Sequence, residues 1–326
     1  MTHLDERAQR YLELWDGHAN VRSRARFRVQ RDFRPASVLA PAALPQLDDP
    51  RVIALGQAAR ERVQLQRCYD ILQEIAYGEA RVVGAAAVRL SGPEGEGLLP
   101  AAARQALMSV AVDENYHAFA ARDAIAQMEA ITGVAGRTDR TYSSLEAAMA
   151  EALASVSVLA RPLLTLLTIG LVENIVTDDL VELIRATDDE SPFYQFNREH
   201  LRDEGRHSAL FRLLLAEIWP RQSAGVRRVV AAGLARFLDD HFRTLQTLPR
   251  QRLRSILVAA GLDPEAADDL CRGPGPAPLD HPFWRNMRAC LEATGLADDP
   301  LLHDGLAAAG WPTGPADAAV EVARAA

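Results

Sequence analysis

The 326-residue chain is poor in cysteine and aromatic residues: three of the former, and 6% of the latter. Cys68, Cys271 and Cys290 are odd in number, scattered and without metal-ligand spacing, which excludes a disulfide framework and a thiolate metal site. They read as small buried apolar groups in a reducing compartment. The first residues, Met1-Thr2-His3-Leu4-Asp5-Glu6-Arg7, are polar and acidic where a secretory leader would be basic and then apolar. The most apolar run, Leu163 to Val172, is about half the ~20 residues a membrane-spanning helix needs. A cytoplasmic protein without membrane contact is expected. The net charge of -8 argues against a nucleic-acid partner, although arginine is plentiful. Strand-like alternation, hairpin signals and internal repeats are all missing.

What is present favours helices. Alanine and leucine dominate a chain that is 48% apolar and 25% charged. An amphipathic helix is expected over 4–24, then a proline-containing connector to Pro50 and a long helix from Val52 to Leu90. Breakers at Ser91-Gly92-Pro93 end it, and a second long helix runs from Pro100 to Ile131, before Gly133. A capping box of Ser143 and Glu146 opens a third stretch toward Asp189, with Pro162 as a kink or break. A fourth runs from Pro192 to Trp219 and stops at Pro220, followed by shorter helices near 223–246, 264–272 and 281–295. The Gly273–Pro278 stretch reads as a linker within the domain, and the Gly/Pro/Ala-rich end as loosely ordered. The fold class is all-α, one domain over 1–326, with a core bundle at 52–246, the N-terminal helix and a C-terminal helical extension over 247–326.

Two copies of Asp-Glu-x-x-His stand on two of the long helices: Asp113-Glu114-x-x-His117 and Asp203-Glu204-x-x-His207. At i and i+3 on a helix, Glu and His project from one face and can reach one metal ion. Glu114 lies in the stripe Leu107, Val110, Ala111, His117, Ala121, Ile125; Glu204 lies in Phe193, Phe196, His200, His207, Phe211, Leu214. Both carboxylates thus face the core, where an ionised group needs a cationic partner. The same test selects Glu173, between Ile169 and Ile184, and Glu79, between Ile75 and Val82. It prefers Glu79 to Glu74, whose neighbours Asp70, Tyr77, Gly78 and Arg81 make a wetter face. Four buried glutamates are balanced by two divalent cations, and oxygen donors mixed with imidazole suit Fe(II) or Mn(II). Asp113 and Asp203, each four residues before a ligand histidine on its own helix, are placed to accept that histidine's spare N–H. His200, one turn before Glu204, adds a third histidine to the set.

In this order and with these gaps, Glu79, Glu114-x-x-His117, Glu173, His200 and Glu204-x-x-His207 resemble the AurF-type (p-aminobenzoate N-oxygenase-like) non-haem di-iron oxygenases. The extra histidine one turn before the second Glu-x-x-His is that family's mark, and the resemblance covers roughly residues 55–245. It implies a ferritin-like bundle and two iron ions, with manganese the lesser choice. It also implies O₂ activation at a reduced centre and oxidation of a primary amine to a hydroxylamine, nitroso or nitro product, as in natural-product biosynthesis. One iron would be held by Glu79, Glu114 and His117 and the other by Glu173, His200 and His207, with Glu204 bridging. The implied partners are O₂, an arylamine or an amino-acid-derived amine, free or tethered to a carrier protein, and an external electron donor, protein or small reductant. A homodimer is an open expectation. For a substrate carboxylate the C-terminal region offers Arg285 and Arg288. The competing readings are a desaturase-like or radical-subunit-like di-iron oxidase, both lacking the His200 position, and a non-catalytic metal-binding bundle.

Seven candidate ligands on one core lead to a stoichiometry. Protein reconstituted with ferrous iron is expected to hold two metal ions per chain by elemental analysis. A single ion, or zinc alone in cells rich in iron, would sink the dinuclear reading.

Overall fold

The computed structural model describes residues 3–137, 144–272 and 282–311, and no strand occurs among them. The bundle helices are α1 (His3–His18), α2 (Gln57–Tyr77), α3 (Gly84–Ser91), α4 (Ala101–Thr132), α5 (Ser144–Ala154), α6 (Arg161–Ala186), α7 (Pro192–Ile218) and α8 (Ala224–Ala259). The shorter α9 (Pro264–Cys271), α10 (Pro282–Ala293) and α11 (Pro300–Ala308) follow. Ser143 of the expected capping box, the Gly273–Pro278 linker and residues 312–326 lie outside the described residues.

The helix ends follow the local chemistry. Gly133, at φ +69°, closes α4 in the left-handed conformation that glycine adopts without strain. The Ser191 hydroxyl caps α7 by accepting from Phe193 N, and Ser223 caps α8 in the same way from Val226 N. Pro162 sits in the first turn of α6, so the proline marks a break between two helices and not a kink within one. The first expected helix divides as well: α1 stops at His18, and a single turn, Asn20–Ser23, follows.

Two departures have physical causes. The long helix expected over 52–90 is interrupted at Gly78–Val83 by a π-helical segment, in which the Gly84 N–H reaches back five residues to Glu79 O. Helix α8 runs straight through Pro249 to Ala259, past the expected end at 246. Pro249 lacks the N–H for its own helical bond, a loss offset by burying Leu253, Ile256 and Leu257. The boundary at 246/247 therefore falls inside one helix. The described part of the extension packs into the same core as α1 and α4, through Phe283, Trp284 and Met287.

Two apolar clusters make the interior, and three of the segments that pass between them carry candidate ligands. Helix α4 contributes Ala103 to Ala111 to the first cluster and Ala118 to Met128 to the second. Helix α7 runs the other way, with Phe193 and Phe196 in the second and Leu210 to Ile218 in the first. The first limb, made of α2, the π segment and α3, places Val63 to Ala76 in the second cluster and Val82 to Leu90 in the first. At each crossing the residues left out of both clusters are polar and buried: Glu79; Asp113, Glu114 and His117; His200, Asp203, Glu204 and His207. The site is a polar slab between two oily layers.

Close approach at this slab requires a missing side chain. A Cβ on Gly84 would lie 3.1 Å from Glu114 Cβ and 2.9 Å from Glu79 O. Gly84→Ala is expected to destabilise the fold despite a gain of about 1 kcal/mol in helix propensity, because overpacking costs about 1–3 kcal/mol. Denaturant titration checks it, and a variant more stable than the parent would show that α3 and α4 have room to separate.

Candidate metal centre

Glu79 leaves the first limb from the π segment, Glu114 and His117 leave α4, Glu173 leaves α6, and His200, Glu204 and His207 leave α7. All seven expected side chains converge, and none is more than 5% exposed. Two groups form in which the candidate ligand atoms all lie within 4.8 Å of one another: Glu79, His117, His200 and Glu204; and Glu114, Glu173, Glu204 and His207. Glu204 belongs to both.

The partition differs from the expected one. His200 Nε2 lies 3.3 Å from Glu79 Oε1 and 3.1 Å from Glu204 Oε1, and its ring centroid is 4.4 Å from that of His117. His200 thus joins His117, not His207 and Glu173. Glu114 sits nearer the other group, with Oε1 2.9 Å from His207 Nδ1 and Oε2 3.5 Å from His117 Nδ1. His200 and His207 are seven residues apart on α7, about 10 Å of helix rise, and each falls in its own group, with Glu204 between them in both.

The second correction concerns the aspartates. His117 Nε2 donates to Asp203 Oδ2 at 2.9 Å, and His207 Nε2 donates to Asp113 Oδ2 at 3.1 Å. Each aspartate serves the histidine of the opposite helix, not the one a turn ahead on its own. The pairs 113–207 and 117–203 step in opposite directions along α4 and α7, as antiparallel packing dictates. Each ring extends across the gap, turning Nδ1 to the glutamates and Nε2 to the facing helix. Arg206 lies against both aspartates, 3.5 Å from Asp113 Oδ2 and hydrogen-bonded to Asp203 Oδ1. Trp15 Nε1 donates to Asp113 Oδ1 at 3.0 Å, and the Asn20 backbone N–H donates to Asp203 Oδ1 at 3.2 Å.

Electrostatics and hydrogen bonding both leave room for cations. Burial alone would lower each imidazole, but surrounding carboxylates reverse it. His117 rises to about 10 through Asp203 and Glu79, and His200 and His207 also rise. Burial would raise every carboxylate; His207 and His200 instead hold Glu204 well below the usual range, and His117 and His200 lower Glu79. Glu173 stays well above it, through burial and the charge of Glu204. Both oxygens of Glu114 and Glu204, Oε2 of Glu79, Nδ1 of His117 and His207, and both nitrogens of His200 have no hydrogen-bond partner. Buried polar atoms are seldom left so. Here they face one another across 2.9–3.8 Å. Lone pairs aimed at common points fit two metal ions, and the oxygen-and-imidazole donor set fits iron.

The nearby alternatives resolve plainly. Glu74 is partly exposed and pairs with Arg252 at 2.6 Å, outside the cluster. Arg288 lies 3.3 Å from Glu292 on α10 and lines a small cavity with Trp284, Leu291 and His303; Arg285 is exposed. Neither joins the seven ligand candidates. Sequence reasoning missed the π segment and the contributions of Trp15, Asn20 and Arg206. Gly78 and Gly84, bracketing Glu79 in an otherwise alanine-rich limb, were the available signal for the first. Contacts from a separate helix left no local pattern.

A family model described as P-aminobenzoate N-oxygenase AurF matches residues 97–268. That span carries six of the seven converging side chains, from Glu114 to His207, and begins after Glu79 and α1. Comparison with curated proteins finds no match.

His200→Ala is expected to empty the position shared with Glu79 and His117, leaving the helices folded and about one metal per chain. Full loading, with only the 1–3 kcal/mol stability loss typical of a buried hydrogen-bonding group, would make His200 a core residue. Glu79→Ala should likewise cost metal, whereas Glu74→Ala should leave metal content unchanged and cost about 1 kcal/mol for a part-buried ion pair. The reverse order would misassign the first limb.

Proposed function

Since the chain belongs to the AurF family of p-aminobenzoate N-oxygenases, helical di-iron oxidoreductases of ferritin-like fold, we propose that it uses O₂ to oxidise a primary amine. The amine is an arylamine or one derived from an amino acid, and the product a hydroxylamine, nitroso or nitro compound of natural-product biosynthesis. The observation that carries this reading is the buried set of four glutamates and three histidines whose candidate ligand atoms gather in two groups that share Glu204. In this proposal Glu79, His117 and His200 hold one iron, Glu173 and His207 hold the other, and Glu114 and Glu204 face both. Bound iron supplies the redox chemistry with O₂.

The protein's own groups set the conditions. His117 and His207 keep their Nε2 protons on Asp203 and Asp113, which fixes the tautomer and leaves Nδ1 as the metal-facing atom. His200 has no such aspartate and turns Nε2 to Glu79 and Glu204. The two apolar layers exclude water from the slab, strengthening each charge interaction inside it.

The desaturase-like alternative accounts for the paired Glu-x-x-His motifs but gives no role to His200, which stands between two glutamates of the cluster. The deciding experiment supplies iron-loaded protein with a reductant, ¹⁸O₂ and candidate amines, arylamines first, then amino acids, free and carrier-bound. Mass spectrometry should find ¹⁸O on nitrogen. Oxidation of fatty-acyl carriers with no labelled amine product would transfer the assignment to the desaturase-like reading.

A further inference from the structure

The frame around His117 and His207 differs at its outer ends: Asp203 Oδ1 accepts from the Asn20 backbone amide and the Arg206 guanidinium, whereas Asp113 Oδ1 accepts from the indole of Trp15. Trp15, Asp113 and His207 therefore form one continuous chain, with hydrogen bonds of 3.0 and 3.1 Å, from a half-buried aromatic ring to the cluster. His207 Nδ1, at its inner end, lies 2.9 Å from Glu114 Oε1 and 3.4 Å from Glu173 Oε2.

The outer end of this chain carries positive charge. The Arg22 guanidinium carbon lies 5.3 Å from the centroid of the Trp15 ring. From Arg22 the backbone continues through Arg24, Arg26, Arg28, Arg31 and Arg34, six arginines against the single acid Asp32, all exposed, in a chain of net charge -8. The strip from Arg22 to Val29 lies along α4, and Arg34 lines a separate cavity with Asp188 and Glu190. Arg26 Nε donates to Asp123 at 2.7 Å, and Val29 N donates to Gln127 at 3.0 Å. Asp123 is ten residues beyond Asp113, so the strip extends about 15 Å from Trp15. Arg22 and Arg26 have Asp16 and Asp123 as partners; Arg24 and Arg28, next to them in the strip, are exposed.

We propose that Trp15 is where electrons enter the metal centre, and that the arginine strip beside it docks an acidic one-electron donor protein. The proposal rests on the N-oxygenase reading, which demands electrons from outside: RNH₂ + O₂ + 2e⁻ + 2H⁺ gives RNHOH + H₂O. A reduced iron–sulfur donor gives up one electron at a time. Each electron takes one ferric ion to ferrous, and two transfers serve one turnover. Tunnelling weakens steeply with distance, and a bonded path carries an electron further than an empty gap. Trp15 offers a π system at the surface with such a path to a metal-facing imidazole. The Asp203 branch ends on an amide and a guanidinium and offers no such ring. A concentrated basic strip steers an acidic protein to that point and orients it there.

The test mixes ferric, iron-loaded full-length protein with a reduced acidic [2Fe–2S] ferredoxin in an anaerobic stopped-flow instrument, following the ferredoxin's own absorbance. Iron content is measured first, so failure of the di-iron reading shows there and takes the proposal with it. Neither amine nor O₂ is present, so a wrong amine leaves the result intact. The rate should fall steeply with salt. Reversing charge in the double variant Arg24→Glu, Arg28→Glu should slow ferredoxin oxidation about tenfold while reduction by dithionite is unchanged. Trp15→Phe should keep both irons and normal ferredoxin binding yet be reduced at least tenfold more slowly. Wild-type rates in the double variant overturn the dock, and a wild-type rate in Trp15→Phe overturns the entry point. Loss of iron from Trp15→Phe also overturns it, because Trp15 would then serve only to hold Asp113.

Discussion

Four glutamates lie in the interior of a helical bundle, and a carboxylate taken from water without a counter-charge is too costly to keep ionised. Everything near them answers this constraint. The three histidines are drawn toward their protonated forms, Arg206 lies against the two aspartates, and the glutamates are pooled where a pair of cations would serve them all. The apolar clusters above and below could not be joined into one core, because the slab between them must stay polar.

Antiparallel packing of α4 and α7 turns this constraint into geometry. With the helices opposed, each histidine meets the other helix's aspartate, and two short motifs become one interlocked unit. The N-terminal segment, distant in sequence, closes it: Trp15 of α1 and Asn20 of the turn that follows occupy the outer oxygens of Asp113 and Asp203. The N-terminal helix is thus part of the frame of the centre, not an addition to the bundle. Small residues permit the approach, with alanines filling much of the buried side of α4 and glycine at 84 where the first limb meets Glu114.

Much of this was legible in the sequence, because burying charge leaves a periodic trace. Glutamate and histidine at helical spacing within apolar stripes identified all seven converging residues and ranked Glu79 above Glu74. Breakers placed most helix ends. What stayed hidden depends on more than one element at a time. Which histidine shares a group with which glutamate is set by helix direction, and spacing along one helix does not encode it. The same-helix aspartate reading failed for that reason. Pro249 stops a helix by local rules, yet tertiary burial carries α8 past it. The π segment is a register shift whose only sequence sign is a pair of glycines.

The crossed aspartate–histidine bonds also bear on how such a centre can change over generations. His117 and His207 each depend on the motif copy that does not contain them, so neither Asp-Glu-x-x-His can drift alone. A substitution at Asp113 is felt at His207, on the other helix, and one at Asp203 at His117. The two copies are bound to vary together, and relatives that have lost one half should have lost the other. A bundle built this way has few intermediate forms: it keeps the whole centre or becomes an ordinary helical protein.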